Sequence, residues 1–389
     1  MKHEHMISFR LAQMWALCKF ATAYIVALFY KKKEIWLVSE RGVDARDNGY
    51  CFFKYLRTQH PEIEAYYIIA ETSADYHRLL PYKDHVVSYR SMAHYIMIWR
   101  ANVLISTHIQ GYFPFAGLGL WVKRNFLPYK NKKHVSIKHG ITCNYIPFLD
   151  YKNTQLDFLV SASKWEYEAF VTQFHYPKEK VFLTGFCRYD NLNQSNLKNQ
   201  ILLMPTWREW LYKEGDILNS QYVQEYSSFL RNPMLHSLLE KNGLTLVFYP
   251  HHEIQPYLHI FEKETIPNVV IARQKDYDVQ QLLKESRILI TDYSSVFFDF
   301  AYMNKPVLFY QFDSDRFRKE HYQQGWYSYE RGVGPVLLNQ QALLESLRST
   351  IENGCMMELG YSNYSKELFA FRDANNCARV YNAIRSIIK

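Results

Sequence analysis

Two adjacent serines, Ser294 and Ser295, follow a short β-branched run in the stretch Ile288–Phe300, ILITDYSSVFFDF. Hydroxyls at such a place can cap a helix. They can also hold an anion, because free backbone N–H groups and the positive end of the helix dipole meet there. The pattern predicts a strand over Ile288–Ile290 and a turn carrying Thr291, Asp292, Ser294 and Ser295. A helix over Val296–Met303, stopped by Asn304, Lys305 and Pro306, and a second strand over Val307–Tyr310 complete the unit. Other polar residues stand in the same relation to apolar runs: His139, Arg188, Arg208 and His252 each follow one directly or closely. Ligands of open α/β sheets bind beyond the carboxyl ends of the strands, so these scattered side chains converge on one place. Guanidinium, imidazole, hydroxyl and a helix start all suit phosphate. Taken singly, each has a plainer use: a lone histidine satisfied in the core, a lone arginine in a salt bridge. No Walker sequence and no GxGxxG opens either half of the chain, which leaves a nucleotide-linked phosphate held without those motifs.

The elements that must position these residues alternate along the chain. Strands are expected at Glu34–Ser39, Tyr66–Ala70, Val86–Val87, Ala101–Ser106, His134–Lys138, Leu156–Ser161 and Val181–Thr184, with helices such as Gly49–Thr58 and Ser163–Phe174 between them. The polar, non-periodic stretch 190–199 then separates two halves. Strands at Ile201–Met204, Leu244–Tyr249 and Val269–Ala272 restart the alternation, a helix at Asp278–Glu285 feeds the serine unit, and Ala342–Glu352 and Asn375–Ile388 close the chain as helices. Strands alternating with helices indicate parallel α/β sheets, here two Rossmann-like domains facing a cleft: 34–195 and 196–389, after an N-terminal segment 1–33.

The 389 residues suit two domains, and 48% hydrophobic residues are ample for two cores. A formal charge of +8 favours an anionic partner: a phosphorylated substrate, a polyanionic polymer, an acidic membrane or nucleic acid. Nothing resembles an RNA-binding signature or zinc finger, so nucleic acid is not expected. Six cysteines at 18, 51, 143, 187, 355 and 377 form no CxxC pair, and the 15 histidines form no HExxH. Reduced thiols in a cytoplasmic protein without a metal site follow. Residues 7–30 are apolar and aromatic, broken by Arg10 and Lys19 and followed by Lys31, Lys32 and Lys33. The uncharged run Phe20–Tyr30 is too short to span a bilayer, which takes ~20 residues. Two readings remain: an amphipathic helix lying on an anionic membrane surface, or a helix packed on its own domain. Residues 121–138 interleave basic and aromatic groups, as either a membrane or polyanion patch or a solvated loop.

LLKESRILITDYSSVFFDFAYMNKPVLFY (282–310) resembles the signature of the CDP-glycerol glycerophosphotransferase family. Further landmarks agree in order: KHGIT (138–142), LTGFCRYD (183–190), MPTWRE (204–209), YPHHE (249–253) and SYERGVGPV (328–336). SERGVDARDNGY (39–50) is similar to capsule and wall-polymer members. The resemblance covers roughly residues 100–340 and implies a glycosyltransferase-B type fold. It implies that His139 is the base that deprotonates the acceptor hydroxyl and that His252 lies near the donor phosphates. The register of the preceding strand favours His252 over His251. Arg208, Ser294 and Ser295 match positions around the CDP pyrophosphate; Asp292, Arg188 and Glu330 match motif positions of less defined role. Where many members read His-Gly-Thr-Pro-Leu-Lys, this chain has His139-Gly140-Ile141-Thr142-Cys143-Asn144. The usual His-Pro of the second motif is His252-Glu253.

The implied reaction is transfer of an alditol phosphate from CDP-glycerol, or from CDP-ribitol, with release of CMP. The acceptor implied is a lipid-linked saccharide or a growing polyol-phosphate chain in teichoic acid or capsule synthesis. The site implied is the cytoplasmic membrane face, where the enzyme would sit peripherally, with no cofactor besides its donor. Rivals are a nucleotide-sugar glycosyltransferase, which would release a nucleoside diphosphate, and a non-catalytic membrane- or polyanion-binding protein.

Overall fold

The computed structural model describes residues 2–31, 33–115, 118–192, 196–262, 265–321 and 323–388, the side chains of 2–13, 118 and 212–214 excepted. Seven short strands build the first sheet: β1 (Ile35–Ser39), β2 (Glu64–Ile69), β3 (Val86–Ser88), β4 (Val103–Ser106), β5 (Lys133–Ser136), β6 (Phe158–Ser161) and β7 (Val181–Leu183). They lie in the order β3-β2-β1-β4-β5-β6-β7, and every pairing is parallel. The second sheet holds β8 (Gln200–Leu203), β9 (Thr245–Phe248), β10 (Val269–Ile271), β11 (Ile288–Thr291), β12 (Val307–Tyr310) and β13 (Val336–Leu337). Its order is β10-β9-β8-β11-β12-β13, again all parallel. The central strands are wholly buried and apolar up to a terminal hydroxyl residue, Ser39 in IWLVS of β1 and Thr291 in ILIT of β11, because helices cover both faces.

Each sheet reverses its winding beside its first strand: β1 lies between β2 and β4, and β8 between β9 and β11. Such reversals open a crevice at the carboxyl ends of the flanking strands. In the first sheet the crevice lies between Glu40–Arg41 and Thr107–His108; in the second, between Pro205–Thr206 and Asp292–Ser295.

The last helix, Asn376–Ile388, returns to the first sheet's side. Its Tyr381 ring stacks 3.7 Å from His60 and lies 5.8 Å from Trp36. The Asn376 and Cys377 amides both donate to the Asp190 carboxylate.

The N-terminal helix, Lys2–Ala27, packs through Ala16, Phe20 and Ala23. Phe20 lies 4.3 Å from the Trp99 ring, whose indole N–H donates to the Phe20 carbonyl at 2.7 Å. The outward side is not polar, as an amphipathic helix would have it: Met14, Trp15 and Ile25 are exposed there, and Leu28 and Phe29 follow. The helix thus rests on its own domain and still offers apolar groups outwards. Lys32 and the side chains before Met14 lie outside the described residues. No helix among the described residues is long and apolar enough to cross a membrane.

Candidate active site in the cleft between the sheets

His139 follows β5 by three residues, and its backbone is pinned on both sides. Lys138 before it adopts the left-handed conformation, φ +49°, which costs a non-glycine residue ~1–2 kcal/mol and must be held by its surroundings. Its ammonium pairs with the buried Glu166 carboxylate, and its carbonyl accepts from the Asn48 amide at 2.7 Å. The His139 carbonyl accepts from Arg188 at 2.7 Å. The His139 side chain is left open to the cleft, stacked on His108 at 4.7 Å with 6° between the rings. One ring nitrogen faces the Thr107 carbonyl. A carbonyl only accepts, so a proton held on that nitrogen leaves the lone pair of the other facing the cleft. The crowded, poorly solvated cleft pushes the His139 pKa down to about 4, with the Arg188, Lys138 and Arg41 charges adding to the effect. His108 is pushed down to about 3 by burial, then by His139 and Arg41.

The facing wall comes from the second sheet. A cavity of about 210 Å³ lies between the halves, lined among others by His139, Thr206, Trp207, His251, Ser294 and Ser295. The two halves approach so closely that a Cβ on Gly140 would meet the Ser295 hydroxyl at 3.0 Å. The short helix after the serines spans Phe297–Tyr302 and has no side-chain cap, so neither serine serves as one.

Of the two adjacent histidines, His251 lines the cavity between the halves, whereas the sequence favours His252. The His251 amide donates to the Pro205 carbonyl at 3.2 Å, and its ring faces Trp207 at 6.2 Å. Burial lowers its pKa to about 3, and His252, His321 and Arg41 reinforce the shift. His252, in the turn closed by the Ile254 amide donating to the His251 carbonyl at 2.8 Å, keeps its ring 4.0 Å from that of His251, is half exposed and lies 3.4 Å from Glu253.

Arg208 and Asp292, both expected to bind the donor, are fully buried beneath the cleft and paired with one another. Arg208 pairs with Asp292 at 2.8 Å and with Asp313 at 2.7 Å, and packs over the Tyr293 and Phe317 rings. Asp292 also accepts from the Thr206 amide at 2.9 Å, tying the ends of β8 and β11 together. Arg188 is likewise committed. It forks onto Asp299 at 2.8 and 2.7 Å and reaches Asp47 at 2.9 Å besides the His139 carbonyl. Glu330 is exposed and accepts from the Ser328 hydroxyl, which with its own backbone amide lowers its pKa.

Two cations that sequence reasoning passed over reach the cleft. Arg41 directly follows Glu40 at the first crevice and bears electrostatically on His108, His139 and His251. Arg318 donates to the Asn144 side chain at 2.8 Å across the two halves and lies over Tyr329. Arg41 lies in the stretch SERGVDARDNGY, and the sheet order shows why it reaches the cleft. Glu40 in the same stretch is structural: buried, it accepts amides of Arg46, Asp47 and Tyr50, and its pKa rises to about 8.

Two parallel α/β sheets with their crevices facing, phosphate-suited groups on one wall and a pinned imidazole on the other, have the layout of the glycosyltransferase-B type fold. The chain belongs to the CDP-glycerol:poly(glycerophosphate) glycerophosphotransferase family, whose pattern it matches over residues 20–386. It is 33% identical over 375 residues to the minor teichoic acid biosynthesis protein GgaB of Bacillus subtilis, a match covering 92% of this chain and 40% of that protein. The chain therefore spans about two fifths of that relative's length. It is 25% identical over 367 residues to a teichoic acid glycerol-phosphate transferase of Staphylococcus aureus, covering 86% of this chain and 88% of that one. Its fold is similar to that of the wall teichoic acid polymerase TagF, with a TM-score of 0.68 at 17% identity over all of this chain and 98% of the other.

Proposed function

We propose that this chain transfers glycerol phosphate from CDP-glycerol to an acceptor hydroxyl in teichoic acid synthesis, on the cytoplasmic membrane face. The observation that carries the reading is the apposition of His139 to Ser294, Ser295 and His251 in the cavity between two switch-point crevices. The acceptor oxygen attacks the β-phosphorus of the donor, the bond from that phosphorus to the bridging oxygen breaks, and CMP leaves with the electron pair. The free ring nitrogen of His139 takes the hydroxyl proton. Ser294, Ser295 and His251 hold the diphosphate, with Arg41 and Arg318 supplying charge at the cleft. Arg188, Arg208 and Asp292 position the walls. A dianionic donor beside His139 raises the basicity of the imidazole, so the group that is neutral in the free cleft becomes a better base once the donor is bound.

Exposed apolar residues on and after the N-terminal helix, Trp15, Ile25, Leu28 and Phe29, support peripheral contact with the bilayer, as do Trp121, Phe126 and Leu127 of the 121–138 patch. Lys33, Arg100, Lys132 and Lys133 line a cavity on the same side, suited to anionic headgroups.

The test is CMP release with CDP-glycerol and CDP-ribitol in parallel, given membrane extract as acceptor source. Acceptor-dependent CMP from CDP-glycerol supports the reading, and CMP from CDP-ribitol alone replaces the donor. A nucleoside diphosphate released from a nucleotide sugar, with no CMP from either donor, overturns it.

A further inference from the structure

The loop that follows the base is held from both halves. The Thr142 amide is tied to the half that carries His139, donating to the buried Glu166 carboxylate at 2.7 Å. From the Thr142 carbonyl onward the partners change sides. That carbonyl accepts from the Trp326 indole N–H at 2.7 Å. Gly325 lies so close to the loop that a Cβ there would meet the Cys143 carbonyl oxygen at 2.3 Å and the backbone carbonyl carbon of Asn144 at 2.8 Å. The Asn144 side chain accepts at 2.8 Å from Arg318, in the last turn of the helix Ser314–Glu320. The Tyr145 amide donates to the Gln323 carbonyl at 3.3 Å, an isolated antiparallel bridge between the halves. Trp326 is in turn anchored to the donor wall: its ring lies 6.2 Å from Phe298, in the short helix after Ser294 and Ser295.

The residues gripped here are those at which this chain leaves the His-Gly-Thr-Pro-Leu-Lys pattern. A proline in place of Thr142 has no N–H for Glu166, and a lysine in place of Asn144 offers Arg318 no acceptor and a like charge. Glycine is required at 325 because no side chain fits between the two backbones. Thr142, Cys143 and Asn144 line the cavity shared with the serines, so the place of this loop decides the shape of the space in front of His139.

We infer that Arg318, Gly325 and Trp326 are positioning residues: the donor-binding half, and not the sheet from which the loop grows, sets residues 142–145 and through them the acceptor's approach to His139, a role that rests on the donor reading above. A displacement of ~1 Å near reacting atoms can cost ~10²-fold in rate, so a loosened grip is felt in turnover before it is felt in the fold.

The test pairs turnover with a readout that needs none: the rate at which iodoacetamide alkylates Cys143 in the donor-free protein, followed by the mass of its peptide. Cys143 is 4% exposed and becomes reachable when the loop opens locally. Trp326→Phe keeps a ring beside Phe298 and loses the N–H. It should raise Cys143 alkylation about tenfold and lower kcat for CMP release about tenfold, with the CDP-glycerol KM and the urea midpoint nearly unmoved. Gly325→Ala should do the same to a larger degree. Asn144→Lys sets two cations against each other and should act in the same direction; adding Arg318→Gln restores a donor and an acceptor and should bring back both kcat and the shielding of Cys143. Alkylation in all three single variants at the rate of the unaltered protein overturns the assignment. So does a urea midpoint that falls in step with kcat, which marks a purely structural role. No CMP from the unaltered protein, with Cys143 shielded there and exposed in the variants, overturns the donor reading and supports the hold on the loop.

Discussion

Arg188 and Arg208 are both buried, and each is forked onto an aspartate more than a hundred residues away, yet they do different things. Arg208 stays within the second sheet, joining loops after β8, β11 and β12 through Asp292 and Asp313. It makes one wall of the cleft rigid. Arg188 crosses from the first half, where it holds Asp47 and the His139 carbonyl, to Asp299 in the second. It sets how the base stands against the other wall. A buried ion pair is weak evidence for stability as such, because desolvation offsets most of the attraction. What such a pair does supply is a fixed geometry, and the two arginines fix it at different levels: one inside a domain, one between domains.

Removing Arg208 should have the largest effect. Arg208→Ala leaves Asp292 and Asp313 facing each other without a cation, at a cost of ~3–5 kcal/mol. Denaturant unfolding should show that loss, and CMP release should vanish with the fold of the second sheet. Next comes the group both clusters serve. His139→Ala should lower CMP release by ~10²–10⁴-fold with the far-ultraviolet spectrum and unfolding midpoint unchanged, since the ring lies open to the cleft. Full turnover in that variant would remove its role as base. Arg188→Lys then separates positioning from stability. It keeps the charge but loses the fork onto Asp299, so kcat should fall ~10–100-fold by misplacing His139 while the donor KM holds. A variant that loses stability and no kcat would make Arg188 a fold residue like Arg208.

The pH dependence sharpens the same contrast. His139 must be neutral to accept a proton, and its pKa in the free cleft is about 4. kcat/KM should therefore stay flat from pH 8 to about 5 and fall as the pH drops through about 4; an imidazole in water would already be half protonated near ~6.5. Stability follows the same sign. In the unfolded chain His108, His139 and His251 take protons near ~6.5, whereas in the fold they resist them down to about 3, 4 and 3. Between those values the unfolded state binds more protons, so stability declines as the pH falls from ~6.5 towards 4. Urea midpoints across that range measure it.

Much of this fold is visible in the residue pattern. The buried runs that became β1, β4, β6, β9, β11 and β12 carry their own signal, because a strand covered on both faces is largely apolar and β-branched, with at most a terminal Ser or Thr. The two-residue β13 has no such signal; it falls at the edge of a stretch that reads as a glycine- and tyrosine-rich loop. That polar residues gather after strands was equally legible for His139, Ser294 and Ser295. Their neighbours Arg208, Arg188 and Asp292 obey the same rule and yet turn inward. The reason lies in partners such as Asp313 and Asp299, over a hundred residues distant, which no local pattern can announce. Arg41 was missed for the converse reason. Its value comes from the reversal of strand order between β1 and β4, a property of the sheet and not of the segment.

The smallest expected effect tests how finely the cleft is read. His251 and His252 are adjacent at the start of a turn, their rings 4.0 Å apart. His251 lines the cavity with Ser294 and Ser295, whereas His252 stands half exposed beside Glu253. An exposed pair of this kind is worth ~0–1 kcal/mol, so His252→Ala should leave CMP release within about twofold and the unfolding midpoint nearly where it was. His251→Ala, removing a donor to the diphosphate, should cost ~10–100-fold in kcat/KM, as loss of a hydrogen bond to a charged group does. The reverse ranking would mean that the loop after β9 turns over when the donor binds, and that His252, not His251, faces the phosphates in the working enzyme.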